Sequence, residues 1–135
     1  MASGLYAATK KLMLDGDIDL LTDNIKVCLV DTDDYTVNFA THDFLDDVAG
    51  AAIVAISGNF ASKTTTGGVL DAADITFSSV TGDKCAALII YKDSGAAATS
   101  PLIAYIDSGT NLPIIPNGGD IIVTWSSGAN KIFAL

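Results

Sequence analysis

The stretch Cys85-Ala86-Ala87-Leu88-Ile89-Ile90-Tyr91 is followed, after the polar segment 92–100, by Pro101-Leu102-Ile103-Ala104-Tyr105-Ile106. Short apolar runs bounded by Asp, Ser and Gly are typical of strands that are buried on both faces. A helix over 85–91 is the alternative, but the run is short and ends in Ile-Ile-Tyr, which favours a strand. We therefore expect a hairpin at the centre of a sheet.

Other segments predict further short strands and two helices. A strand is expected over 25–30, a strand, turn and strand over 51–60, and short strand pieces at 69–70 and 75–77. Pro113 and Pro116 exclude a paired central strand from the loop 107–119, and a hairpin is expected to pair 121–125 with 131–135. The predicted helices are 4–14, capped by Ser3, and a turn or two over 42–48 after Thr41.

The composition agrees with a β fold rich in loops. The chain has sixteen Asp and seven Lys but no Glu, Gln or Arg, which are strong helix formers. About eight short strands with regularly spaced turns predict an all-β, antiparallel β-sandwich, jelly-roll-like, with one or two short helices near the N-terminal third. Its length of 135 residues suits a single domain, 1–135, with a core that needs neither metal nor disulfide.

The charge balance argues against two classes of partner. A net charge of −9 with no Arg disfavours nucleic acid, which is bound through clustered Lys and Arg. No apolar run approaches the roughly 18 residues that span a bilayer. Because the Lys pair near the N-terminus follows small residues and precedes no apolar segment, we expect no signal peptide and synthesis in the cytoplasm.

The sparse charge also predicts self-association. A folded monomer of 13.9 kDa exposes about 6,700 Å², which the 23 charged side chains cover thinly. Some apolar surface is therefore expected to meet another subunit or a partner.

Candidate chemical groups are few. The acids Asp15, Asp17, Asp19 and Asp23 invite a calcium site, but Leu20 stands where an EF-hand loop needs Gly, so we interpret them as a solvated turn. His42 lacks a nucleophile and an orienting partner in any known arrangement. We expect no catalytic, cofactor-binding or metal-binding residue, and we expect Cys28 and Cys85 to be buried and reduced.

Two apolar segments are candidates for contact with a partner. One is the loop 112–116, which either folds back over the core or meets a partner. The other is a small patch at the N-terminus. The predicted interaction residues are Leu5, Tyr6, Leu112, Pro113, Ile114, Ile115 and Pro116.

Taken in order, the chain resembles a family of small virion structural proteins of tailed bacteriophages. The similarity lies in Tyr6–Lys11, Asp15–Asp31, Tyr35, Thr41–Val48, Asp71–Phe77, Pro101–Asp107 and Ile121–Trp125. It implies a non-enzymatic part of a phage particle, found in the virion and assembled in the host cytoplasm. The expected role is a capsid decoration, or cement, protein that binds the major capsid protein as a homo-oligomer, with a trimer as the expected state. A tail or head-tail component or a receptor-binding β module is the alternative.

Overall fold

The structure is a computed structural model, and it describes residues 3–109 and 112–135. That part of the chain holds nine strands, one α-helix and short 3₁₀ turns. The elements are β1 (Gly4–Leu5), α1 (Ala7–Leu14), β2 (Ile25–Val30), β3 (Ile53–Ile56), β4 (Val69–Leu70), β5 (Ile75–Phe77), β6 (Ala87–Lys92), β7 (Leu102–Ile106), β8 (Ile121–Val123) and β9 (Phe133–Ala134). The predicted all-β class is confirmed.

The central feature is a five-stranded sheet in the order β1-β7-β6-β2-β3, with every pair antiparallel. The two predicted runs form β6 and β7, which pair directly and confirm the expected hairpin. Between β2 and β6 the register is regular from Ile25 opposite Lys92 to Val30 opposite Ala87. One residue of β7, Ile103, and one of β3, Val54, stand as bulges.

Both faces of this sheet are buried, as its continuous apolar strands require. Along β6, Leu88 and Ile90 enter one core cluster, while Ala87, Ile89 and Tyr91 enter the other. The first cluster is covered by the two-stranded ribbons β4-β9 and β5-β8 together with apolar residues of α1. The second is covered by the segment 35–52, through apolar side chains that include Tyr35, Leu45 and Val48.

The C-terminal strands do not form the predicted hairpin. Ile121–Val123 pairs with β5, and Phe133–Ala134 pairs with β4. A strand finds its partner through the apolar face that it must bury. Both strands bury this face in the first core cluster, β8 through Val123 and β9 through Phe133, but each does so next to a different partner strand. The second layer is therefore divided between two separate ribbons.

The predicted helices are shorter than expected. The α-helix begins at Ala7 because Gly4 and Leu5 pair with β7, and its N-cap position is Tyr6, with no side-chain cap. Ser3 instead donates its hydroxyl hydrogen to Asp107, 3.1 Å away. The helix predicted over 42–48 is reduced to the 3₁₀ turn Leu45–Asp47, where Asp47 accepts the backbone N–H groups of Asp43 and Phe44.

The surface area is that of an ordinary folded monomer, 6765 Å². Within residues 3–109 and 112–135, six large apolar side chains nevertheless remain exposed: Leu14, Leu21, Ile56, Ile115, Ile122 and Leu135. Among the described residues, no helix combines the length and apolar character that crossing a membrane requires.

The double-sided burial predicts a large cost for truncating β6. Ile89 is fully buried and Ile122 is 63% exposed. We expect Ile89→Ala to lower the free energy of unfolding by about 2–5 kcal/mol, since it leaves a cavity in the core. The matched change Ile122→Ala should cost less than about 0.5 kcal/mol. Urea unfolding monitored by circular dichroism measures both, and equal losses would contradict the assignment of the core.

Candidate interaction surface

The loop Leu112–Pro116 is anchored at its centre and exposed at its tip. Ile114 donates its N–H to the carbonyl of Cys85 over 2.7 Å and accepts the N–H of Cys85 over 2.8 Å. Its side chain packs against the first core cluster. The next side chain, Ile115, points the other way and is 76% exposed. The loop thus covers the core through Ile114 and leaves Ile115 exposed, and contact of Ile115 with a partner stays a prediction.

The remaining loop residues frame Ile115. Pro113 is exposed, while Leu112 and Pro116 are half-buried. Leu112 is held by a backbone bond to Gly109 and packs beside it. Backbone bonds on both sides of the tip fix its position, so Ile115 is presented without a large ordering cost on binding.

Carboxylates gather at the same end of the sheet. Asp83 precedes the anchor Cys85 by two residues, and its carboxylate lies within 4.8 Å of those of Asp31 and Asp34. Two of these carboxylates also act on Cys85, the residue to which the loop is bonded. Burial first, and then the negative charges of Asp31 and Asp83, raise the pKa of Cys85 to about 11. We call the set Asp31, Asp34, Asp83 and Ile115 the loop-end surface. It consists of an exposed apolar tip and three carboxylates at the same end of the sheet, connected through the bridge between Cys85 and Ile114.

These three carboxylates are the one group, within residues 3–109 and 112–135, whose geometry could hold a metal ion. Asp31 is buried but already accepts the N–H of Asp33 over 2.9 Å. Exposed acidic groups often approach one another without a metal, and no further feature here points to one. We assign no metal site.

The N-terminal patch predicted from Leu5 and Tyr6 does not form. Tyr6 is fully buried in the second core cluster, and its ring lies 5.3 Å from that of Phe39. Leu5 is half-buried and pairs with Ala104 of β7, so its side chain packs against the first cluster on the opposite face. Strand pairing at Gly4–Leu5 turns the two neighbours to opposite faces, which corrects the prediction of a shared exposed patch.

Tyr6 belongs to a hydrogen-bonded chain that ends at the only histidine. The Asn38 N–H points at Nδ1 of His42 from 3.3 Å, so this nitrogen accepts. The Tyr35 hydroxyl therefore donates to the same nitrogen over 2.8 Å, and the Tyr6 hydroxyl donates to Tyr35 over 2.9 Å. Burial first, and then the bond to Tyr35, raise the pKa of Tyr6. These hydrogen bonds between Tyr6, Tyr35 and His42 fasten the segment 35–48 to the sheet. They account for His42 as a packed residue.

The acidic segment 15–23 is held by lysines. Lys92 donates to the carbonyl of Asp17 over 2.8 Å and forms an ion pair with Asp23 at 3.0 Å. Lys63 donates to the carbonyl of Asp23. Next to them, Lys26 pairs with Asp93 at 2.8 Å. The ammonium groups of Lys63 and Lys92 thus hold the turn 15–23 through oxygens of Asp17 and Asp23.

Sequence reasoning missed two parts of the loop-end surface. Asp31 and Asp34 are three residues apart, but Asp83 is distant from both in sequence, and no spacing indicates that the three carboxylates meet. The second part is the opposite placement of Ile114, against the core, and Ile115, in solvent. A local signal for it exists, since neighbouring side chains in an extended segment point to opposite sides. Sequence alone, however, does not show which of the two faces the core.

Comparison with protein families and with curated proteins identifies no relative of this chain. No protein-family model matches the chain, and a search of curated proteins finds no match.

The ion pair of Lys26 and Asp93 predicts a pH-dependent stability. Lys26 first, and then the N–H of Gly95, hold the pKa of Asp93 below its usual value. A lowered carboxyl pKa stabilises the fold above the unfolded pKa of about 3.9, and that stability is lost as the pH falls through the folded value. We expect Lys26→Met to lower the free energy of unfolding by up to about 1 kcal/mol at pH 7, because both groups are partly exposed.

The difference between Lys26→Met and the wild type should disappear near pH 2, where Asp93 is protonated. Urea unfolding at the two pH values measures it. Lys84→Met is the control, since Lys84 is exposed and forms no ion pair with any residue that the structure describes. A deficit that persists at low pH would show that Lys26 acts through packing alone.

The two thiols are predicted to be inert in the native protein. Both cysteines are free and fully buried, which confirms the expectation from the apolar runs. Burial raises the pKa of Cys28 to about 12, so the reactive thiolate is scarce at neutral pH. We expect no labelling by a thiol reagent at pH 8 within minutes, and two labels after denaturation. Rapid labelling of the native chain would contradict the buried positions.

Proposed function

We propose that this chain is a non-enzymatic structural protein of a bacteriophage virion, a decoration protein that binds the assembled capsid shell. The family resemblance supplies the identity of the partner. The observation that carries the proposal on the molecule itself is Ile115, an apolar side chain that is 76% exposed on a loop fixed by backbone bonds to Cys85. A rigid, exposed apolar residue is the kind of group that fills a pocket on a partner.

The carboxylates at the same end of the sheet support the same role. Asp31, Asp34 and Asp83 lie close together, and none of them forms an ion pair with a residue that the structure describes. A cationic rim around an apolar pocket on the shell would complement this arrangement and would fix its orientation. We therefore expect the affinity for the capsid shell to fall as salt is added.

Self-association is the second part of the proposal. Among the described residues, Leu14 is 88% exposed, Leu135 is 72% exposed and Leu21 is also exposed. Burial of these three leucines between subunits would remove apolar surface from water. A trimer is the proposed state, because a symmetric assembly lets several weak contacts act together on a repeating shell.

The test is co-sedimentation of the purified protein with capsid shells that lack it. We expect the wild type to bind and Ile115→Asp to bind about 10- to 100-fold more weakly, which corresponds to losing the burial of one isoleucine. The circular dichroism spectrum should be unchanged, because Ile115 makes no core contact. Ile122→Asp, at a second exposed isoleucine on β8, should bind as the wild type does.

Two outcomes would overturn the proposal. If the wild type does not bind shells, the decoration role is wrong, and binding to isolated tails becomes the next measurement. If Ile115→Asp and Ile122→Asp bind as the wild type does, the shell contact lies elsewhere on the molecule. Light scattering after gel filtration checks the trimer independently, and a monomer at micromolar concentration would contradict it.

A further inference from the structure

One edge of the central sheet is left open. Strand β3 pairs with β2 on one side and has no strand on the other within the described residues. The segment 48–62 that contains it carries no charged residue. Ile56, at the end of the strand, is 50% exposed. Soluble proteins usually protect such an edge with charges, proline or a covering segment, so this edge has the character of a surface that becomes covered.

A second strand edge stands opposite the first. Strand β5 pairs with β8 and, in the part of the chain that the structure describes, with no other strand. The chain that continues from β5 is held firmly in place. Ser79 donates its N–H to Asp120 over 2.9 Å, and Val80 exchanges backbone hydrogen bonds with Gly118 and Gly119 at 2.8 and 3.0 Å. The wall 76–81 is therefore formed before any partner arrives.

Between β3 and this wall lies an open groove of about 280 Å³. Its lining is the segment 54–58 on one side and 76–81 on the other, and it contains no charged side chain. Its polar side chains all carry hydroxyl groups, and they belong to Ser57, Thr76, Ser78, Ser79 and Thr81. At Gly82 the two walls meet, because a Cβ there would lie 3.3 Å from Val54.

We infer that this groove binds an extended, uncharged peptide segment of a capsid shell subunit. The segment adds to the free edge of β3 as a strand. Backbone hydrogen bonds to the edge would provide affinity, as in other cases of strand addition. A strand already paired in a sheet on both sides is excluded, because the wall 76–81 stands where its neighbour would lie. A charged side chain is excluded because the lining offers no opposite charge.

The identity of the partner, a shell subunit, rests on the proposed function, whereas the chemistry of the segment rests on the groove alone. The groove is also distinct from the loop-end surface. The loop 112–116 is bonded to Cys85, which precedes β6, whereas the groove follows the outer edge of β3. A decoration protein would then hold its shell through an inserted apolar residue and an added strand.

The first test combines hydrogen exchange with two variants. When the protein is bound to shells, we expect slower exchange of the amides of 53–56 than in the free protein. Ile56→Lys places a charge on the open edge and should weaken binding at least about tenfold. Ser78→Lys, on the exposed opposite wall, should do the same without touching β3. Ser127→Lys, at an exposed serine outside the groove, is the matched control and should bind as the wild type does.

The outcomes separate this inference from the proposed function. If the wild type binds shells but the exchange of 53–56 is unchanged and both variants bind normally, the groove is not the site, and the decoration role stands. If the wild type does not bind shells, the decoration role fails, and the groove is judged with an acetylated and amidated Val-Thr-Val-Thr-Val-Thr peptide at millimolar concentration. Slower exchange of 53–56 in its presence supports the inference, and no change overturns it.

Discussion

The pairing of β2, β6 and β7 is the constraint on which the rest of the structure depends. Ile89 and Ile90 are neighbours on β6, both fully buried, and they enter different core clusters. Strands of this kind are stable only when each face has a cover. The ribbons and α1 supply one cover and the segment 35–52 supplies the other, which is why so much of the chain outside the sheet is irregular yet well packed.

The same constraint determines where a partner can bind. With both faces of the sheet covered, its ends and its edges are the parts left for recognition. The loop-end surface is at one end, where Ile115 stands beside three carboxylates. The groove is at the β3 edge, where backbone groups and hydroxyls replace charge. The 23 charged side chains leave such surfaces bare, and the assembly that we propose would cover them.

The sequence predicted those parts of the fold whose information is local. The runs that form β2, β6 and β7 are continuous and apolar, so strand type, burial and the hairpin were all predictable. The pairing of β8 with β5 and of β9 with β4 was not, because each short strand takes its partner from the packing of the whole domain. Tyr6 was mistaken for surface because nothing local shows that Gly4 and Leu5 join the sheet and carry the next residue inside.

The candidate site also has a part that local sequence predicts and a part that it does not. The loop 112–116 could be found from its apolar composition around two prolines, but both of its isoleucines were predicted as interaction residues, and the structure places Ile114 against the core instead. The carboxylates beside it could not be found, since Asp83 reaches Asp31 and Asp34 only after β6 has paired with β2. A strand ladder brings the end of one strand beside the start of its antiparallel neighbour. The electrostatic character of the loop-end surface is therefore a product of the central pairing and is set by the same residues that make the core.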